Sequence, residues 1–243
     1  MLKRILKYFF VAIAICYSLF ALFVIPQFKE NGTCSGIIVN ISDCDIKTIT
    51  DEEVMDILNE ANLTPELKKM NEIDCGEIEQ HFNNISLIKE CQVYKGNKDF
   101  VNINIDCREP IIRIHDKENK TYCVDSDGNI IRGINRALHL PIATGNIVDS
   151  MATKEIKDIA SAIKESKFWT AQIEQIYFND KKEVILIPRV GDHIIELGTT
   201  ENVNNKLEKL YTFYHEGMNK IGWNKYSKLN IEFGDKVICT KRD

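Results

Sequence analysis

Metal binding, nucleophilic catalysis and redox exchange each need particular side chains at particular spacings, and the 243-residue chain offers candidates for all three. Its histidines stand at 81, 115, 139, 193 and 215. No two are four residues apart and none completes a Glu-x-x-His, so none builds a zinc-binding helix face. Surface or packed imidazoles are the expectation. Asp125, Asp127 and Gly128 look like part of a calcium loop. Such a loop would also need an oxygen ligand where Cys123 stands and a glutamate where Ile134 stands. The stretch 125–129 is therefore expected to be a hairpin turn with Gly128 at positive φ. No serine sits in a Gly-x-Ser-x-Gly elbow, and no glycine-rich loop could cradle a phosphate. These residues give no reason to expect an enzyme, a cofactor or a metal.

The eight cysteines need their own account. Cys75, Cys91, Cys107 and Cys123 are spaced by 16, but they fall on one helix start and three strands, so the spacing is not a structural repeat. No Cys-x-x-Cys occurs, which removes the usual zinc and dithiol patterns. Cys91 and Cys107 share strand faces with apolar neighbours and suit small buried hydrophobes. Seven cysteines follow the apolar N-terminal segment, an odd number, so at least one is unpaired. Mostly free, buried thiols are expected.

These side chains are carried by a clear order of elements. Ile37, Val39 and Ile41 alternate with polar or outward residues, which predicts a strand. Thr50 followed by Glu53 reads as a capping box opening a helix with Val54, Ile57, Leu58 and Ala61 on one face. A second helix starts near Cys75 and carries Ile78 and Phe82. Two strands follow, the first with Leu87, Cys91 and Val93 on one face and Lys89 as an exception. The second alternates Val101, Ile103, Ile105 and Cys107 with Asn102, Asn104, Asp106 and Arg108. Residues 34–110 are thus a β-α-α-β-β unit, and Pro110, which holds Glu109 extended, marks its end.

Residues 111–243 read as a mostly antiparallel β domain with two helices. Strands are expected at 112–115, 121–124, 130–131, 173–178, 184–187 and 193–197, with a loop at 140–145. The helices are 153–169 and 202 to about 220. A last hairpin of strands 229–233 and 236–240 turns at Gly234 and Asp235. In it, Val237 and Cys239 are expected to continue the inner face of Leu229, Ile231 and Phe233. Lys236, Ile238 and Thr240 face out.

The apolar residues are concentrated at the N-terminus. Residues 8–25 carry no charge, and a helix of that length spans about 27 Å, close to a bilayer core. Lys3, Arg4 and Lys7 precede the run, with no matching positive excess after it, so a cytoplasmic N-terminus is expected. After Ile25 comes Pro-Gln-Phe-Lys, not a small-residue cleavage site, which favours an uncleaved signal anchor bounded by Tyr8 and Ile25. Residues 1–7 would be the cytoplasmic tail and the remainder would be exported. Beyond residue 26 the chain holds 28 basic and 36 acidic residues, a net charge of -8. That balance speaks against a nucleic-acid partner or a polybasic lipid site. The fold class is therefore α+β behind a single transmembrane helix.

The β-α-α-β-β unit behind an anchor resembles a POTRA domain, and the whole arrangement resembles the bacterial cell-division family FtsQ/DivIB. Further residues carry the likeness in order. Ile88 to Val93 stands where the family has a hydrophobic-x-x-Ala-x-Val strand. Cys107-Arg108-Glu109-Pro110 is similar to its Arg-x-Pro junction. Tyr122, Asp125 and Gly128 are similar to its Tyr-x-x-Asp-x-x-Gly hairpin, and Leu140, Pro141 and Gly145 to its Leu-Pro-x-x-x-Gly loop. Residues 229–233, followed by Val237, resemble its terminal strands, with Asn230 for the usual Asp and Glu232 for the usual Arg. The second change reverses a charge.

The resemblance implies a non-enzymatic, membrane-inserted scaffold of the inner membrane, enriched at the septum. FtsB- and FtsL-like single-pass proteins would add a strand at the C-terminal edge, and other division proteins would meet the POTRA domain. The expected partner-binding residues are Ile231, Glu232, Phe233, Lys236, Val237, Ile238, Cys239 and Thr240. The alternative is a POTRA-bearing chaperone or outer-membrane export factor. An anchored hydrolase is disfavoured by the missing catalytic constellation.

Overall fold

The computed structural model describes residues 10, 13–20, 32–42, 46, 48–134, 136–233 and 236–242. Residues 13–20 are helical and exposed. Among the described residues no helix is long and apolar enough to cross a membrane. Tyr8, Ile25, Lys3, Arg4 and Lys7, and with them half of the expected anchor and all of the flank before it, lie outside the described residues. The chain divides into two compact units, one containing Ile49–Cys107 and the first strand, the other containing Arg108–Asp243.

The first unit follows the expected β-α-α-β-β order. Strand β1 (Gly36–Ile41) precedes α1 (Asp51–Glu60), α2 (Cys75–Asn83), β2 (Ile88–Lys95) and β3 (Phe100–Cys107). β3 is central, parallel to β1 and antiparallel to β2. The capping box forms: the Glu53 amide donates to Thr50 Oγ1 at 3.3 Å, and the Thr50 amide to Glu53 Oε2 at 2.8 Å. Each bond satisfies an amide that the helix start leaves without a partner. Val54 and Leu58 of α1 and Ile78 and Phe82 of α2 are fully buried or nearly so. β2 departs from the expected face. A bulge between Ile88 and Glu90 shifts its register, so Ile88 rather than Leu87 takes the buried position, and Lys89 is turned to solvent. The apparent exception in the alternation was a bulge.

The second unit is one sheet of nine strands among the described residues, ordered β12-β11-β10-β9-β8-β7-β4-β5-β6. The strands are β4 (Pro110–His115), β5 (Thr121–Asp125), β6 (Ile130–Ile131), β7 (Ile142–Gly145), β8 (Ile173–Phe178), β9 (Val184–Pro188), β10 (Ile194–Gly198), β11 (Tyr226–Asn230) and β12 (Ile238–Lys241). Five pairings are antiparallel, but β4–β7, β7–β8 and β10–β11 are parallel. The stretch expected to be a loop at 140–145 is in part β7, a central strand. Four residues with a proline before them and a glycine at the end show too little alternation to be read as a strand.

The expected helix at 153–169 is two. A helical run begins at Asp149, passes through a wide π turn at Ala152–Ile156 and continues as α3 (Lys157–Lys164). The chain then breaks, and Ser166 caps α4 (Lys167–Gln172) through the Trp169 amide. The other helix is α5 (Val203–Phe213), extended by a second π turn at Tyr214–Met218 and a last turn, Asn219–Ile221. Both helical segments feed one core. Ile156, Ile159, Ile163, Leu207, Leu210 and Tyr214 bury with Ile112, Ile114, Ile176, Leu186, Ile195 and Leu229 of the strands.

Two motifs that looked separate in sequence are joined at the start of this unit. Asp125, only 4 % exposed, accepts from Arg108 Nη1 at 3.1 Å. It also accepts from the amides of Asp127 and Asn129 and from Asn129 Nδ2, and these bonds shape the 125–129 turn. Gly128 takes φ +87°, and a Cβ there would lie 2.8 Å from the Thr153 carbonyl oxygen. The acidic cluster is a turn organiser, and among the described residues no group of acids, histidines and cysteines is placed to hold a metal. Replacing Arg108 by Met strands a buried carboxylate, and should cost about 1–3 kcal/mol in urea unfolding, allowing for the partial exposure of Arg108. Ser126→Ala, at an exposed position of the same turn, should stay within about 0.5 kcal/mol.

Candidate functional site

The C-terminal hairpin combines an open sheet edge with the exposed apolar side chains Phe233 and Ile238. β12 pairs with β11 alone and ends the sheet. An edge strand leaves a row of backbone N–H and C=O groups without a neighbouring strand. From Lys236 to Thr240 exposure alternates as a two-residue period requires: Val237 and Cys239 are half-buried against the core, while Lys236, Ile238 and Thr240 are exposed. Ile238 is 52 % exposed, opposite Asn230 of β11. Burial raises the pKa of the Cys239 thiol, which disfavours its thiolate form.

β11 begins earlier and ends earlier than its sequence pattern suggests, at Tyr226 and Asn230 instead of 229 and 233. Its first residues are polar because they occupy half-exposed or exposed positions next to the edge. Ile231 is fully buried, so its side chain belongs to the core and is not available to a partner. Phe233 was expected on the inner face, yet it is 59 % exposed and lies beyond the strand. The chain leaves the ladder after Ile231, whose amide still donates to the Glu196 carbonyl at 3.0 Å. Past that point the two-residue alternation no longer governs which way a side chain turns. Glu232 is half-buried and its amide donates to Asn230 Oδ1 at 3.1 Å. Its side chain lies over Gly198 at φ +73°, where any Cβ would come within 2.5 Å of Glu232 Cγ.

Two cations of α5 hold backbone nearby, Lys209 at the connection after β11 and Lys206 at the end of β10, roles the sequence pattern did not reveal. Lys209 Nζ donates to the carbonyls of Ile231 at 3.0 Å and Phe233 at 3.4 Å. Lys206, 8 % exposed, donates to those of Leu197 at 3.0 Å and Thr199 at 2.8 Å. Burial is the largest effect on the Lys206 ammonium and lowers its pKa, with the Glu232 charge opposing. Both lysines sit on an otherwise ordinary amphipathic helix, so only the placement of the end of β10 and of the chain after β11 shows what they hold. On the neighbouring strand, Glu196 takes Lys228 Nζ at 3.0 Å and Asn230 Nδ2 at 3.2 Å.

The far end of β12 is clipped to the loop before β10. Arg242 Nη1 donates to Asp192 Oδ2 at 3.0 Å, and Nη2 to the Asp192 carbonyl at 2.6 Å. The next residue, His193, is 2 % exposed and lies in an aromatic cluster with Tyr214 and Trp223, ring centroids 5.5 and 6.4 Å away. Its Nε2 shares a 2.6 Å hydrogen bond with Tyr214 Oη, whereas Nδ1 is buried and has no hydrogen-bond partner. The expectation of a packed histidine holds at this position.

Two family models match the chain. Residues 109–240, more than half of it, match the one described as FtsQ/DivIB, C-terminal related, and residues 32–106 match the one described as a POTRA-like domain. The search of curated proteins found no match.

His193 makes the unit sensitive to acid. Burial, with Arg242 adding to it and Asp192 opposing, lowers the pKa of His193 below its ordinary 6.5. The unfolded chain then binds the proton more readily, so this contribution to stability is complete above about pH 6.5 and is lost as the pH falls. Urea midpoints measured between about pH 7 and about pH 5 should drop more steeply for the parent chain than for His193→Gln. Equal slopes would mean that the imidazole does not titrate differently on unfolding.

Proposed function

Because the chain belongs to the FtsQ/DivIB C-terminal related family, we propose that it is a bitopic, non-catalytic scaffold of the bacterial division machinery. The FtsQ/DivIB family is one of non-catalytic division proteins, associated with the membrane at the septum. In this reading residues 8–25 anchor the chain in the inner membrane and Lys3, Arg4 and Lys7 keep its N-terminus in the cytoplasm. The POTRA-like unit and the β unit work outside, on single-pass division proteins of the FtsB and FtsL type.

The observation that carries the reading is the position of β12. It is an edge strand whose outer side is free of any other strand among the described residues. A partner segment laid along it gains main-chain hydrogen bonds, and side chains flanking the edge give selectivity. Ile238 and Phe233 are the exposed apolar residues of this hairpin and serve as anchors. Lys236 and Thr240 line the same outward side, with Glu232 bringing a negative charge to the connection. Val237 and Cys239 support the edge from within, and Ile231 holds it to the core. The role of Ile231 is therefore indirect.

Ile238→Asp with Phe233→Ala should weaken capture of an FtsB-like partner by roughly 30-fold or more, as loss of central anchors does, without shifting the unfolding midpoint. Unchanged co-purification would remove the edge from the binding site. A fluorescent fusion should form a mid-cell band. An even distribution round the envelope, or crosslinking to an outer-membrane barrel, would favour the export-factor alternative.

A further inference from the structure

The POTRA-like unit has edge strands of its own, and on one of them, β2, side chains occupy outward backbone donors. β2 pairs with β3 on one side only. Along an antiparallel strand, successive residues direct their N–H and C=O groups to opposite sides, so every other residue of an edge strand points its pair outward. On β2 the outward residues include Cys91 and Val93, and neither amide is open. The Cys91 amide donates to Asn83 Oδ1 at 2.8 Å, and the Val93 amide to Glu79 Oε1 at 2.7 Å. Both acceptors come from α2, four residues apart on one helix face, which brings them close enough to serve two amides that are two residues apart on a strand.

We propose that Glu79 and Asn83 form an edge guard, two side chains that occupy the backbone donors through which β2 would otherwise pair with β2 of a second copy of this chain. The register favours a second copy. If two β2 strands lie antiparallel with Gln92 opposite Gln92, Cys91 faces Val93 of the other copy, and Val93 faces its Cys91. Each outward N–H then meets an outward C=O. The exposed side chains suit this pairing, since Glu90 would stand opposite Tyr94 and the glutamines would meet at the centre. Lys89 and Lys95 would be opposed only at the ends. Hydrogen bonds to Glu79 and Asn83 must be broken before such a pair can form, and the guard thereby keeps the unit unpaired at this edge. The inference does not depend on the division reading, because it concerns the other unit and a contact within the chain.

Full-length chains carrying the photo-crosslinker p-benzoylphenylalanine in place of the exposed Tyr94 test it in cells. With Glu79 and Asn83 intact, little crosslinked homodimer is expected. In Glu79→Ala with Asn83→Ala it should rise roughly tenfold or more, the shift expected when two hydrogen bonds no longer oppose pairing. Adding Gln92→Lys sets like charges opposite each other and should return the dimer to the parent level. Glu79→Gln, which keeps an acceptor oxygen, should stay at the parent level throughout. No rise in the double variant overturns the proposal. So does a rise that survives Gln92→Lys, since that marks association through unfolded chain and not through β2.

Discussion

A parallel pair of strands cannot be closed by a tight turn, and the β unit depends on that constraint. The chain must leave β7, cross the sheet and return before β8 can lie beside it, and it must do so again between β10 and β11. Each crossing takes a dozen or more residues and is made by helix. The two helical segments are therefore required by the topology, and each must hide an apolar stripe on the sheet it crosses. The stripe of the first includes Ile156, Ile159 and Ile163, and that of the second Leu207, Leu210 and Tyr214, all in one buried cluster. After the second crossing β11 runs parallel to β10, and the remaining chain can only turn back along its outer side. β12 becomes the edge for that reason.

The same segments that meet this constraint also set the hairpin. α5 contributes to the core through its apolar face, to the end of β10 through Lys206 and to the β11–β12 connection through Lys209. The loop before β10 buries His193 against Tyr214 at the end of the same crossing and holds Arg242 beyond β12. The edge is thus braced at both ends, while no other strand among the described residues lies on its outer side. The POTRA-like unit treats its β2 edge in the opposite way, filling two outward donors with side chains of α2. Long edges promote unwanted pairing, and covering or occupying them is a general remedy.

Much of the fold was legible because periodicity reports burial directly. The alternation of Val101, Ile103, Ile105 and Cys107 became a strand with all four buried. Thr50 and Glu53 became a capping box, and 125–129 a turn with Gly128 at positive φ. The failures have particular causes. β7 was missed because its four residues, Ile142–Gly145, are too few to show a period. Lys89 looked like a flaw in a strand because a bulge breaks the alternation without leaving a mark in composition. The helix at 153–169 was read through its break at Ser166, because the apolar spacing continues across it into Trp169.

The sequence alone determined the β-α-α-β-β order of the first unit, the capping box at Thr50 and the outward placement of Lys236, Ile238 and Thr240. These follow from local propensity, capping and side-chain period, which depend on neighbours in the chain. Only the tertiary structure decided that Phe233 is exposed, that Ile231 is sealed in the core, and that Arg108 pairs with Asp125. It also decided that Lys209 holds two carbonyls more than twenty residues away, and that Glu79 and Asn83 cover the edge of β2. Each of these joins groups distant in sequence, and their geometry is set by how sheets and crossovers close. No pattern read along the chain contains that information.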